Sequence, residues 1–325
     1  MPLDRGMMLS SVHVEGETSI GTGFFVTVAS DVIEGERHGY VLTAHHVIDG
    51  QRQVTIRVQH QSGNGELYDP EPITDWRHPV KTLDLALAPH DPLPGRQYAA
   101  VELENHVIIG PNLGAPIFYI GLFVAPPVDR MMARSGTIGA LDQEGLPHGG
   151  PYDYVAHLVD CRSYEGFSGS PCFVEVGFPQ LTPSPLVVTP PRGMPKGPIG
   201  KMLYLSLFCG MFTAHYDDPP EEEQKEATEV AKPACPKERV ISKYGVGVML
   251  RSEEICDVLM SDALVTERRE KDEKAARDRR ASGFPVLRKA KKNVVPPHLT
   301  REGFDDALSR ATRLVTPSAE SAPEG

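Results

Sequence analysis

The sequence predicts an all-β protein, and three observations carry that prediction. The apolar residues come in short runs rich in β-branched and aromatic side chains, as from Ser19 to Ser30 and from Tyr40 to Val47. One such run, Val54-Thr55-Ile56-Arg57-Val58, alternates apolar and polar residues, the two-residue period of a half-buried strand. Clusters of turn formers, such as Ser62-Gly63-Asn64-Gly65 and Asp91-Pro92-Leu93-Pro94-Gly95, cut the runs into short lengths. A chain of 325 residues has room for about two compact domains with sizeable cores.

Composition narrows the function classes. A hydrophobic fraction of 40% with 24% charged residues describes an ordinary soluble protein. A net charge of −11 and a pI near 5.6 argue against bulk binding to nucleic acid. No stretch is long and apolar enough to span a membrane. The start, Met1-Pro2-Leu3-Asp4-Arg5-Gly6, lacks the basic region and apolar core of a secretory signal. The five cysteines are odd in number and show no framework spacing. Together these features lead to the expectation of a cytoplasmic protein with free thiols. No metal or cofactor is expected. Cys235, for example, has no second Cys or His at ligand spacing.

Three stretches carry chemistry. In Gly166-Phe167-Ser168-Gly169-Ser170-Pro171 one serine stands between glycines, which permit a tight loop that turns a hydroxyl outward and aims amides at one point. Gly/Ser turns are common between strands, so Ser168 alone decides nothing. Val41-Leu42-Thr43-Ala44-His45-His46-Val47 places two histidines after an apolar run, and Thr82-Leu83-Asp84-Leu85-Ala86-Leu87-Ala88 places one aspartate at the head of a strand. A serine hydroxyl is a weak nucleophile until a base takes its proton, and histidine, with a pKa of ~6.5, suits that task. A buried carboxylate then fixes the tautomer of the imidazole. The chain order is His, Asp, Ser. The hydrolase elbow runs in the opposite order and needs glycine where Ser170 stands, so that arrangement is excluded.

The ordered set resembles the trypsin-like (chymotrypsin-fold) serine proteases, closest to the bacterial branch that includes the HtrA proteases. Gly21-Thr22-Gly23-Phe24 resembles that branch's G-[ST]-G-F strand, and Leu42-Thr43-Ala44-His45-His46 its T-A-A-H segment. Asp84-Leu85-Ala86-Leu87 resembles D-[IL]-A-[LV], and Ser135-Gly136-Thr137-Ile138 resembles S-G-x-[IV]. Gly166 to Pro171 resembles G-N-S-G-[GS]-P, while Gly210 to Ala214 and Gly245-Val246-Gly247 resemble the two strands that wall the substrate pocket. The match runs from about residue 10 to 262.

The resemblance implies two six-stranded antiparallel barrels, residues 7–110 and 113–262, followed by a C-terminal helix and an extended tail. It implies a triad of His46, Asp84 and Ser168, with the motif register choosing His46 over His45, which becomes a packing or surface histidine. It implies an oxyanion hole from the backbone N–H groups of Gly166 and Ser168, with the Phe167 side chain toward the leaving group. It makes Thr213 the hydroxyl that supports Asp84, and Ala214 and His215 the edge that pairs with substrate backbone. It places Arg162 and Ser163 at the base of the specificity pocket, with Gly245 and Gly247 in its open walls. Arg162 there favours an acidic side chain before the scissile bond, unless it turns outward or pairs with Asp160 or Glu165.

Later elements follow from composition. Phe178 to Pro198 is a Pro-rich surface loop, and Asp217 to Glu238 an acidic insertion. Ser252 to Ala263 reads as an amphipathic helix, capped by Ser252 and burying Ile255, Val258 and Leu259. Thr266 to Arg280 alternates charges as an exposed helix does. It belongs to a charged tail, 263–325, holding a basic cluster at Arg288–Lys292 and a short helix at Thr300–Thr312. That tail is too short for the PDZ domain that usually follows HtrA proteases. His78 and His90 sit in loop-like contexts and are expected in solvent. The function expected is a cofactor-free serine endopeptidase acting on protein or peptide. The alternative is a silent or partner-gated module of the same fold, with a regulatory protein engaging the tail or the acidic loop.

Overall fold

The structure, a computed structural model, describes residues 5–51, 53–62, 65–91, 99–103, 111–123, 130–144, 152–161, 166–179, 202–215, 245–282 and 286. After a short helix α1 (Arg5–Ser10), the first half is a sheet of β1 (Ser11–Glu15), β2 (Ile20–Ala29), β3 (Arg37–Thr43), β4 (Val54–Ser62), β5 (Gly65–Ile73), β6 (Ala86–Pro89) and β7 (Val101–Glu102). Its order is β5-β4-β1-β2-β3-β6, antiparallel, with β7 pairing parallel to β2. A single turn, α2 (His45–Ile48), follows β3.

The alternation read in β4 holds: Val54, Ile56 and Val58 are buried beside Val12, Phe24, Leu42 and Leu87. Among the described residues the expected six-stranded closure of this half is not seen. There the sheet has seven strands and is a half-barrel. Strand β6 is only four residues long, and its outer edge meets Arg77 through the isolated bridge to Leu87 rather than β5.

The second half does close. Strands β8 (Pro116–Phe123), β9 (Arg130–Gln143), β10 (Ala156–Asp160), β11 (Ser170–Pro179), β12 (Met202–His215) and β13 (Val246–Arg251) form a barrel in the order β10-β13-β12-β11-β8-β9. Tyr119 stacks on Phe212 with centroids 5.3 Å apart, and Phe167 meets the Tyr119 ring edge-on at 5.5 Å. Phe167 is fully buried in that cluster, so its side chain does not face a leaving group. The barrel interior has drawn it in for apolar burial.

Strand β2 joins the halves. The Thr22 hydroxyl donates to Gly166 O at 2.7 Å and accepts from Leu122 N at 2.8 Å. Phe24 meets Phe208 across the seam at 5.5 Å.

Two helices end the described chain, α3 (Ser252–Leu259) and α4 (Asp262–Ala281). The expected apolar face of α3 is present, with Ile255, Val258 and Leu259 buried. Ser252 is its first residue and does not cap it; its hydroxyl reaches the Glu253 carboxylate at 3.3 Å. The exposed charged helix expected over 266–280 is instead docked along one face. Arg268 and Asp272 are 6% and 5% exposed. Arg268 donates to Leu259 O at 2.8 Å and to the Tyr40 hydroxyl at 3.2 Å. Asp272 accepts from Ser30 Oγ at 2.6 Å and pairs with His38 Nε2 at 3.0 Å. Glu267 holds Arg77 at 2.5 Å. A buried charge is tolerated because each has partners of this kind.

Histidines are also more buried than their contexts suggest. The His90 backbone N–H continues the β3 pairing by donating to Gly39 O at 3.0 Å, which carries the ring onto Phe25 at 4.9 Å. His78 is only partly exposed. His13, in β1, is 5% exposed, and burial followed by the Arg57 charge lowers its pKa from 6.5 to about 4. The unfolded chain therefore takes up a proton first, so stability is complete above pH 6.5 and is lost as pH falls toward 4. For His13 alone that loss is about 3 kcal/mol. Urea denaturation at stepped pH is expected to show a shallower acid decline in His13→Gln; parallel curves would refute the assignment.

Candidate active site

The site lies at the seam between the half-barrel and the barrel. Strand β3 ends at Thr43, Ala44 stays extended at φ −67° and ψ 135°, and α2 then starts. The first N–H groups of a helix have no partner within it. That of His46 donates to Asp84 Oδ1 at 3.0 Å. His46 Nδ1 meets Asp84 Oδ2 at 2.7 Å. One carboxylate thus grips a single residue through both oxygens. Because a carboxylate only accepts, Nδ1 carries the proton and Nε2 keeps its lone pair. The Asp84 side chain is 3% exposed and that of His46 41%, so the acid is dry and the imidazole open. Of the two adjacent histidines, it is His46 that Asp84 holds.

The Ser168 loop is sewn to both halves through its backbone. Gly166 and Gly169 have φ of 97° and 89°, a region that favours glycine. Thr22 N donates to Ser168 O at 2.8 Å, Gly169 N to Phe212 O at 2.7 Å and Ser170 N to Phe167 O at 3.0 Å. With those carbonyls engaged, the N–H groups of Gly166 and Ser168 meet no acceptor among the described residues. Ser168 is partly exposed. Gly21 lies between this loop and α2: a Cβ there would sit 2.8 Å from the Val47 side chain and 3.0 Å from Ser168 O. Among the described residues no hydrogen bond joins Ser168 Oγ to His46 Nε2. Catalytic hydrogen bonds are often long before substrate binds.

The support expected from Thr213 is not made. The Thr213 hydroxyl accepts from Tyr154 at 2.9 Å and donates to Val248 O at 3.2 Å, so its single proton is spent on β13. Tyr152 and Tyr154 approach Asp84 instead. Burial, and then the Asp84 charge, raise both phenol pKa values. The pair stands just before β10, and the only signal for it in the sequence is a Tyr-x-Tyr spacing with polar tips. His45 is a packing residue: it stacks on His78 at 3.6 Å, and its Nδ1 meets the Tyr152 hydroxyl at 3.0 Å. Burial, then His78, lower its pKa.

Ala214 and His215 pair with Val248 and Gly247 on one side. The β11–β12 ladder stops at Ser170 and Phe212, so the other side of residues 213–215 has no strand partner among the described residues. Gly245, at φ 69°, accepts from Cys161 N at 2.8 Å. Gly247 does not open onto empty space, because a Cβ there would collide with the Phe212 ring. Arg162 and Ser163 lie outside the described residues, as do Cys235, the acidic insertion and the chain beyond residue 286. A cavity of about 320 Å³, lined in part by His45, Asp49, Trp76 and His78, does not include His46, Asp84 or Ser168. Among the described residues no cluster of three or more His, Cys, Asp or Glu side chains could hold a metal ion. No helix there is long and apolar enough to cross a membrane.

No curated protein matches the sequence. Among solved structures the chain is similar to Rv3671c of M. tuberculosis H37Rv, in an inactive form, at 16% identity and a TM-score of 0.43, covering 78% of this chain and 86% of that one. It is similar to the HtrA-type protease AlgW with tripeptide at 13% identity and TM-score 0.46, covering 79% of this chain and 62% of that one. The MamO protease domain of Magnetospirillum magneticum matches at 15% identity and TM-score 0.44, over 79% and 99% of the two chains. Residues 21–177 match the family described as the trypsin-like peptidase domain. The expectation drawn from the ordered motifs therefore stands for residues 21–177, the stretch that matches the trypsin-like peptidase domain.

Proposed function

We propose that the protein is a serine endopeptidase with His46, Asp84 and Ser168 as its triad. The observation that carries this reading is the two-oxygen grip of Asp84 on His46, which leaves Nε2 unengaged by the carboxylate. In the reaction, Ser168 Oγ attacks the peptide carbonyl as its proton passes to His46 Nε2. The N–H groups of Gly166 and Ser168 take the developing oxyanion, where each donor contributes about 3–4 kcal/mol. The C–N bond breaks as His46 returns the proton to the leaving amine. Water, deprotonated by His46, then releases the acyl group and restores Ser168. No cofactor enters any of these steps.

The substrate is an extended peptide laid against the open side of residues 213–215. Among the described residues Cys161, Cys172 and Cys209 are buried thiols outside any disulfide, which supports work in a reducing compartment such as the cytoplasm. A second reading, a partner-gated module, is favoured by one observation: Ser168 and His46 are not hydrogen-bonded to each other.

Labelling with a fluorophosphonate separates the two readings. The expected result is one adduct, mapped by peptide mass to Ser168 and absent in Ser168→Ala. Wild-type protein that takes no label in any condition would overturn the constitutive enzyme. Label that appears only after a cell fraction is added supports the gated form.

A further inference from the structure

Asp84 presents more acceptor capacity than His46 uses. A carboxylate offers about four lone-pair sites. Two are filled, by the backbone N–H and Nδ1 of His46. The rest lie in a pocket that leaves the side chain 3% exposed. Buried polar groups are generally satisfied. Thr213 does not supply the missing donor, because its hydroxyl donates to Val248 O.

Tyr152 brings a further hydroxyl to this region, held at His45 Nδ1, next in the chain to His46. The tyrosine is 9% exposed. Its segment is tied to the turn that carries the acid, since Asp153 N donates to Thr82 O at 2.9 Å, two residues before Asp84. The Tyr152 hydroxyl meets His45 Nδ1 at 3.0 Å, and the Asp84 charge is near enough to help raise its pKa. A phenol has one proton and here has two acceptors in reach.

We propose that Tyr152 is a positioning residue for Asp84, and that the protonation state of His45 decides whether its hydroxyl proton points to His45 or to the carboxylate. The proposal rests on the triad assigned above. When His45 is neutral, Asp49 lies 3.9 Å from Nε2 and holds the proton on that nitrogen. Nδ1 is then an acceptor and takes the phenol proton. When His45 is protonated, Nδ1–H donates to the tyrosine oxygen, and the phenol proton turns to Asp84. A new hydrogen bond to Asp84 draws on the charge that supports the His46 imidazolium. His46 becomes a weaker base without any change in its contacts.

The groups facing His45 are His78, stacked at 3.6 Å, Asp49, Asp84, Lys81 and Tyr152. Burial and His78 outweigh the two carboxylates, so His45 titrates below 6.5. His78 is itself fixed, with Nε2 donating to Leu83 O at 2.8 Å.

The test is a histidine NMR titration of the full chain with selectively labelled histidine, each ring assigned by substitution. In wild type the His46 resonance is expected to show a second inflection at the midpoint of His45. Tyr152→Phe keeps the ring and removes the hydroxyl; it is expected to abolish that inflection, as is His45→Gln. A ring that merely packs would leave the inflection unchanged. On a peptide reporter, the ratio of kcat in Tyr152→Phe to kcat in wild type is expected to rise about tenfold as pH falls through the His45 midpoint, at unchanged KM, the scale of one hydrogen bond to a charged group. A wild-type curve with one inflection, or a second inflection that survives in Tyr152→Phe, overturns the proposal. Since the titration needs no turnover, an unlabelled Ser168 would sink the enzyme reading and leave this test intact.

Discussion

Asp84→Asn is expected to lower kcat about 10⁴-fold, with a folded protein and little change in KM. The size of the effect follows from two contacts on one side chain. Both carboxylate oxygens accept from His46, one from its backbone N–H and one from Nδ1. An amide has a single acceptor oxygen. If that oxygen keeps the backbone N–H, the NH₂ group faces Nδ1, which must then give up its proton. The proton moves to Nε2, and the base becomes a donor pointed at the serine. If the amide flips, the NH₂ group opposes the backbone N–H, two donors meet, and α2 loses its anchor. The shape of Asp84 survives in either case, so the loss falls on rate more than on fold. One lost hydrogen bond in a buried site costs about 1–3 kcal/mol of stability. The measurement is kcat on a peptide reporter alongside circular dichroism of the same sample. A folded variant within tenfold of wild type would mean that Asp84 only clamps α2 in place.

The three residues proposed as a triad stand out in the sequence because each belongs to a short motif whose local geometry is self-contained. Thr43-Ala44-His45-His46 ends a strand and starts a turn, and Gly166 and Gly169 supply the positive φ that the serine loop needs. What lay beyond the sequence depends on distant partners. The charges of α4 follow an exposed pattern, yet Arg268 is covered by Tyr40, 228 residues earlier, and Asp272 by Ser30, 242 residues earlier. No periodicity encodes such pairs. Thr213 has a suitable hydroxyl at the expected place, but Tyr154 and Val248 O engage it first. The half-barrel has a similar origin: a four-residue β6 bridged to Arg77 leaves β5 without a closing partner. Composition correctly marked all-β architecture, while closure depended on strand lengths and pairings that no motif records.

Gly169→Ala is expected to cost about 4 kcal/mol of stability, a value reached only when a backbone clash adds to dihedral strain. Gly50 supplies the comparison. Its φ is 69°, and a Cβ there would meet nothing within 4 Å. Gly50→Ala should therefore show the dihedral penalty alone, about 1–2 kcal/mol. Gly169 has φ 89°, but a Cβ there would press against the Thr22 carbonyl and lie 2.6 Å from Thr43 Oγ1. Neither neighbour can withdraw freely. The Thr43 hydroxyl donates to Thr22 O at 2.7 Å, and Thr22 N donates to Ser168 O at 2.8 Å. Relief must come from the loop moving off β2, which rotates the peptide groups around Ser168. A shift of those N–H groups weakens oxyanion stabilisation directly, so labelling of Ser168 should slow even where the variant is folded. Urea midpoints for the two alanine variants, with label rates measured at low denaturant, test both parts. Equal costs for Gly50→Ala and Gly169→Ala would remove close packing against β2 as the reason that glycine follows the serine.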